Sequence, residues 1–201
     1  MIEGLNPYGF SPKVLESGPN ATLEGYWNNY KYFDKYNKEI KSAFNTDFLY
    51  NKEFAQLESD ISKTNSVSIH IRRGDYTNDK HKDLFVFLNE KYYNNAIETV
   101  KKKVKNPHFW VFAYDGSEWF EKTTNLKKDE YTIVPNSAAK NDFKSFFRLM
   151  SVCKNNIISN STFAWWAAYL NKNESKVSIG PKKWMYKYNF EYEPSWIVLD
   201  S

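Results

Sequence analysis

"SVSIHIRRGDY", Ser66 to Tyr76, is the stretch whose reading decides the fold. Up to Ile71 it alternates short polar residues with β-branched apolar ones, the pattern of a strand. It ends on two adjacent arginines, Arg72 and Arg73, then Gly74, Asp75 and Tyr76. Neighbouring strand residues point to opposite faces, so one arginine can enter a crevice while the other anchors to a neighbouring element. A guanidinium grips phosphate oxygens bidentately and keeps its charge at any working pH. On these residues alone, a diphosphate clamp and a solvated strand end paired with Asp75 both stand open. His70 lies two positions before Arg72, on the same face. Arg73 to Asp75 also spells an adhesion tripeptide. That reading needs an exposed loop on a secreted protein, and a position directly after a strand argues against it.

Outward from this stretch the pattern is regular. Strands are expected at "HFWVFAY" (108–114), "YTIVP" (131–135), "NNIISN" (155–160), "KVSIG" (176–180) and the closing "WIVLD" (196–200). Helices are expected between them at 88–104, 115–125, 140–153 and 161–171, and before the first strand at 51–63 and in the second half of 25–44. The first 25 residues, rich in Gly, Pro and Asn, read as loop or short strand. Asp115 with Glu118 three positions on has the form of a capping box. The alternation implies an α/β fold of βαβ units, a Rossmann-like, mainly parallel sheet with flanking helices. In such sheets ligands bind beyond the carboxyl ends of the strands. Three polar strand ends collect on that edge: Arg72, Arg73 and Asp75; Tyr114 and Asp115; and the segment Ser159, Asn160, Ser161, Thr162, with His70 lining the same crevice. Asp115 can serve as a helix N-cap or accept hydrogen bonds from a nucleoside. Ser159 or Asn160 can cap the helix that follows, or that helix start can hold an anion. Trp165 and Trp166, inside the helix, read as packing.

Composition limits the function classes. The chain has 201 residues, with 41% hydrophobic, 18% aromatic and 26% charged residues, the composition of a soluble globular protein with a real core. A net charge of +4 is too small to argue for nucleic acid. Cys153 is the single cysteine, so no disulfide framework is expected and a reducing compartment is the simplest setting. No stretch approaches the roughly 20 apolar residues of a membrane span, and "MIEGLNPYGF" lacks the basic-then-apolar form of a secretory signal. The expected location is cytoplasmic, with room for peripheral attachment at the inner membrane face. The sequons at Asn20, Asn160 and Asn173 then carry no glycan. His70, His81 and His108 make no metal-binding spacing, and no Walker loop, GxGxxG or GxSxG occurs.

At these same residues the sequence resembles the alpha-1,2-fucosyltransferases of glycosyltransferase family 11. "HIRRGDY" (70–76) is similar to that family's H-x-R-R-x-D-Y motif. "VFAYDGSEW" (111–119) is similar to its second motif, with Tyr114 where the family often has Asp and an apparent one-residue insertion. "DFKSFFRLMSVCKNNIISNSTFAWWAAYL" (142–170) is similar to its third, and "GYWNNYKYF" (25–33) to the stretch that precedes the first. The resemblance implies transfer of L-fucose from GDP-fucose to the 2-hydroxyl of a terminal galactose, inverting and without metal or other cofactor. It implies the C-terminal, donor-binding half of a GT-B-type architecture. By the resemblance, Arg72 binds the β-phosphate and acts catalytically, and His70 and Asp115 lie near ribose or guanine. Ser161 and Thr162 cradle the phosphates, with Arg73, Asp75, Tyr76 and Asn160 in support. The family's N-terminal G-G-L-G-N-Q segment has no counterpart here. Residues 1–63 are therefore expected to be a remnant of the N-terminal half plus connecting helices, and 64–201 the GDP-fucose-binding domain. The acceptor side of the cleft then falls to a partner chain or a homo-oligomer. The alternative reading is a truncated module that binds GDP or GDP-fucose without transferring sugar.

Overall fold

The computed structural model describes residues 9–24, 27, 29–74, 84–136 and 143–201. Asp75, Tyr76 and His81, singled out above, lie outside the described residues.

A parallel sheet of six strands organises the chain in the order β3-β2-β1-β4-β5-β8. The strands are β1 (Asn65–Ile71), β2 (Pro107–Ala113), β3 (Tyr131–Ile133), β4 (Asn155–Ile157), β5 (Ser178–Pro181) and β8 (Ile197–Leu199). β1 is the centre and is buried from Ser66 to Ile71. Its Val67, Ile69 and Ile71 face one helical layer, and its Ser66, Ser68 and His70 the other. Burial on both faces is what parallel strands require.

Helices α4 (Glu90–Lys103) and α5 (Ser117–Thr123) cover the first face. α4 buries Tyr92, Tyr93, Ala96, Ile97 and Val100, the stripe its 3.6-residue period lays down. The Asn89 side chain caps it by accepting from the N–H groups of Lys91 and Tyr92, and three lysines complement its carboxyl end. On the second face, α3 (Ala55–Lys63), α6 (Phe143–Val152) and α7 (Thr162–Tyr169) pack on Trp110 and Phe112 through Ile61, Phe146, Leu149, Met150 and Ala167. Residues before β1 are stapled to this layer. The Arg148 guanidinium on α6 makes a two-pronged pair with Glu58 on α3, at 2.7 and 3.2 Å, and reaches Asp47 at 2.6 Å. Phe33 stacks on Trp166 of α7 at 5.4 Å.

Three details differ from the sequence reading. The opening segment carries one helical turn, α1 (Pro12–Leu15), started by a proline whose missing N–H is no loss there. Residues 37–43 form α2 (Asn37–Ala43) as expected, but Lys183–Met185 and Tyr188–Asn189 add an unforeseen antiparallel pair, β6 and β7. This pair presses Trp184 onto Phe190, ring on ring at 3.9 Å, and closes a third aromatic core with Trp165, Tyr169, Tyr192 and Trp196. Third, Asp115 does not cap α5. Its N-cap is Gly116, held at φ +89° without a side-chain bond. A Cβ there would press on the Arg73 side chain, which favours glycine twice over.

Candidate functional site

The strand order reverses between β1 and β4, and at this switch point the sheet opens at its carboxyl edge. A cleft of about 480 Å³ lies there, between the ends of β1 and β2 and the starts of α6 and α7. His70, Arg72, Gly74, Tyr114, Asp115 and Ser161 line it, with Phe143, Phe146 and Phe163 as an aromatic wall. The volume falls within the range of ordinary small-ligand pockets, roughly 300–1,000 Å³.

His70 forms part of the floor. Its Nδ1 lies 2.8 Å from Ser159 Oγ, and the Tyr93 hydroxyl donates to the His70 carbonyl at 3.3 Å. Burial first, and the positive Arg72 second, push its pKa down to about 3. It is therefore a neutral imidazole near pH 7, fit to exchange hydrogen bonds rather than carry charge.

The two arginines part company, as alternation along a strand requires. Arg72 lines the cleft on the side of His70. Arg73 turns away and lies between two rings, 4.2 Å from the Phe87 centroid and 3.9 Å from that of Trp119. Burial lowers its pKa, and its Nη1 is buried without a hydrogen-bond partner. A guanidinium held between rings is not offered to a receptor, which sets the adhesion reading aside even though Gly74 is exposed.

Asp115 braces the loop after β1. Its Oδ1 accepts the Arg73 N–H at 3.1 Å and its Oδ2 the Gly74 N–H at 2.6 Å. These donors lie more than 40 residues earlier in the chain, which is why the local capping pattern misled. A Cβ at Gly74 would collide with the same carboxylate. At the opposite wall, Ser161 is the N-cap of α7 but makes no side-chain cap bond, and its Oγ is buried with no hydrogen-bond partner. Ser159 and Asn160 do not cap α7 either: Ser159 meets His70, and the Asn160 amide donates to the carbonyls of Val86 and Trp184 at 2.8 and 2.9 Å. The N–H groups of Thr162, Phe163 and Ala164 have no acceptor within the helix and give that end a partial positive charge.

The structure thus brings His70, Arg72, Asp115 and Ser161 into one cleft. Arg73 and Asn160 stand behind it. Thr162 lines a neighbouring apolar cavity of about 530 Å³ with Phe44, Phe48 and Trp166. Sequence reasoning placed Ser159 at this edge as a possible helix cap, not as the partner of His70, and did not bring forward Phe143, Phe146 and Phe163. The aromatics sit in helices where an apolar period reads as core. Among the described residues no group of three or more His, Cys, Asp or Glu is placed to hold a metal, and no helix is long and apolar enough to cross a membrane.

A parallel Rossmann-like sheet with a polar cleft at its switch point defines an α/β domain with a ligand-sized cleft at the carboxyl edge. More particularly, the chain belongs to glycosyl transferase family 11, whose profile matches residues 16–200. It is 34% identical over 178 residues to an alpha-1,2-colitosyltransferase of Escherichia coli, covering 86% of this chain and 59% of the relative. It is 36% identical over 149 residues to the O-antigen biosynthesis glycosyltransferase WbnK of Escherichia coli, covering 74% of this chain and 46% of the relative. It is 24% identical over 144 residues to galactoside alpha-(1,2)-fucosyltransferase 2 of Sus scrofa, covering 67% and 41%. The chain spans about half the length of these relatives. No solved structure matches it.

Proposed function

We propose that this chain binds GDP-fucose in the switch-point cleft and transfers L-fucose to the 2-hydroxyl of a terminal galactose, with inversion and without a metal. The observation that carries this reading is a charged Arg72 opposite a buried, unpartnered Ser161 hydroxyl at a helix start, in one cleft. The names of the similar proteins, two of which specify alpha-1,2 transfer of a sugar, support it.

In the proposed reaction the bond between fucose C1 and the β-phosphate oxygen breaks and negative charge grows on the diphosphate. The Arg72 guanidinium, the Ser161 hydroxyl and the first N–H groups of α7 face that charge, as donors fixed before reaction. The galactose oxygen bonds to C1 from the opposite face, which inverts it, and its proton leaves with the departing charge or to solvent. His70, neutral, orients the nucleoside by a hydrogen bond. Asp115 holds the Arg73–Gly74 backbone so that Arg72 is aimed inward. In this reading residues 64–201 are the donor-binding unit of a GT-B-type enzyme working at the cytoplasmic face of the membrane, and residues 1–63 the connection to the acceptor side.

The test is GDP release with galactosides supplied and either a fucosyl or a colitosyl donor, the latter because one relative is named for colitosyl transfer. Turnover with GDP-fucose that is lost in Arg72→Ala supports the proposal. Binding of GDP without turnover, galactosides present, supports the non-catalytic alternative.

A further inference from the structure

The anion-binding end accounts for only part of the cleft. Away from Arg72 and Ser161, the carboxyl edge of β2 presents Tyr114, and the start of α6 presents Phe143. Both rings are half exposed, at 52% and 61%, although most large apolar side chains in this part of the fold are buried. Their centroids are 6.1 Å apart and their planes 36° from parallel, so together they make a shallow aromatic shelf. The shelf is held from behind: the Asn136 amide donates to the Tyr114 carbonyl at 3.1 Å, tying the end of β2 to the segment after β3. Asp115 is the nearest carboxylate in sequence, and each of its oxygens already accepts a backbone N–H.

A nucleotide sugar carries two different groups on its diphosphate. One is a polyol that asks for hydrogen bonds around its ring. The other ends in a flat base with two π faces, which aromatic side chains bind well and with little regard to sequence of atoms. An exposed aromatic shelf fits the second. We propose that Tyr114 and Phe143 are the base-binding residues of this site, stacking the base of a nucleoside diphosphate whose phosphates lie at Arg72 and the start of α7. The inference rests on the diphosphate reading of the cleft given above. It makes Tyr114 a determinant of donor affinity through its ring, not its hydroxyl.

The test is calorimetric titration of the folded chain with GDP and, separately, with inorganic pyrophosphate. Wild type is expected to bind GDP more tightly than pyrophosphate. Tyr114→Ala and Phe143→Ala are each expected to weaken GDP about tenfold, the order of one lost stacking partner, while pyrophosphate affinity stays unchanged. Tyr114→Phe keeps the ring and is expected to keep the affinity. Both residues are exposed, so melting temperatures of the variants check that the fold is intact. Equal affinity of wild type for GDP and pyrophosphate overturns the base shelf and leaves the diphosphate site standing. So does unchanged GDP affinity in both alanine variants, which with a raised KM for the sugar donor would give the shelf to the sugar. Failure of wild type to bind either ligand removes the diphosphate reading and the shelf with it.

Discussion

The two ends of the same parallel sheet hold cavities of similar size and opposite character. At the amino edge, Lys101, His108, Asp129 and Glu130 surround a hollow of about 560 Å³. Several of its groups are already bonded. Lys101 Nζ meets Glu130 Oε1 at 2.7 Å, Glu130 Oε2 accepts the Lys127 N–H at 2.7 Å, and His108 Nε2 lies 2.9 Å from Thr132 Oγ1. The Lys101 ammonium holds the Glu130 carboxyl below its usual range. At the carboxyl edge the polar groups are arranged toward an open space, with the Ser161 hydroxyl buried and unpartnered and the first N–H groups of α7 directed outward. Both ends are polar, but at the carboxyl edge a buried hydroxyl that faces the cleft, that of Ser161, lacks a partner. A buried group left unpaired is unfavourable by about 1–3 kcal/mol, and a ligand in the cleft can supply the Ser161 hydroxyl with the partner it lacks.

Four substitutions break or sharpen this contrast. The largest effect is expected for Arg72→Ala, which lowers transfer about 10²–10³-fold, the order for losing one fixed donor to a developing anion, with the melting temperature almost unmoved. The second concerns His70. Its pKa is pushed down to about 3 in the folded chain, so the unfolded chain binds its proton first. The stability this group contributes is present above pH 6.5 and is lost as pH falls toward its folded pKa. Between pH 7.5 and 5 the loss is about 1–2 kcal/mol. His70→Asn keeps a hydrogen-bonding atom near Ser159 and is expected to flatten that slope in denaturant melts. Burial lowers the pKa of His108 as well, so the difference between wild type and variant, not the raw slope, isolates His70.

Third, Ser161→Ala is expected to weaken GDP about tenfold, through one lost hydrogen bond to a charged group, while leaving stability equal or slightly raised because an unsatisfied hydroxyl is removed. A purely structural serine would lose stability instead. The smallest effect is at the other edge. Lys101→Ala breaks a partly exposed pair and is expected to change stability by less than about 1 kcal/mol, with transfer unchanged.

Much of the fold was legible because the central strands read as strands in two ways, β1 by alternation of short polar and β-branched residues and β2 as a continuous apolar run. "SVSIHI" and "HFWVFA" became β1 and β2 almost residue for residue. The β6–β7 pair was not legible, since "KKWMYKYNF" mixes lysines and aromatics without a turn dipeptide, and its aromatics are ordered by distant Trp165 and Tyr169. The strand pattern alone assigns Arg72, Asp115 and Ser161 to one edge of the sheet, where they line one cleft with His70. What each does there depends on partners far along the chain. Asp115 turned to Arg73 and Gly74 rather than to its own helix, and Thr162 fell one position round α7, into the next cavity. Phe143 and Phe163 carry the apolar period of their helices, and nothing local separates a cleft wall from a core face.

The central claim is that the carboxyl edge completes itself with a diphosphate gripped by Arg72. Titration of GDP into wild type, Arg72→Ala and Lys101→Ala tests it most directly. The account predicts binding to wild type and Lys101→Ala with equal affinity, and loss of at least about 2 kcal/mol of affinity in Arg72→Ala, the scale of a charge-assisted bond to phosphate. Equal GDP affinity in Arg72→Ala and wild type would contradict it.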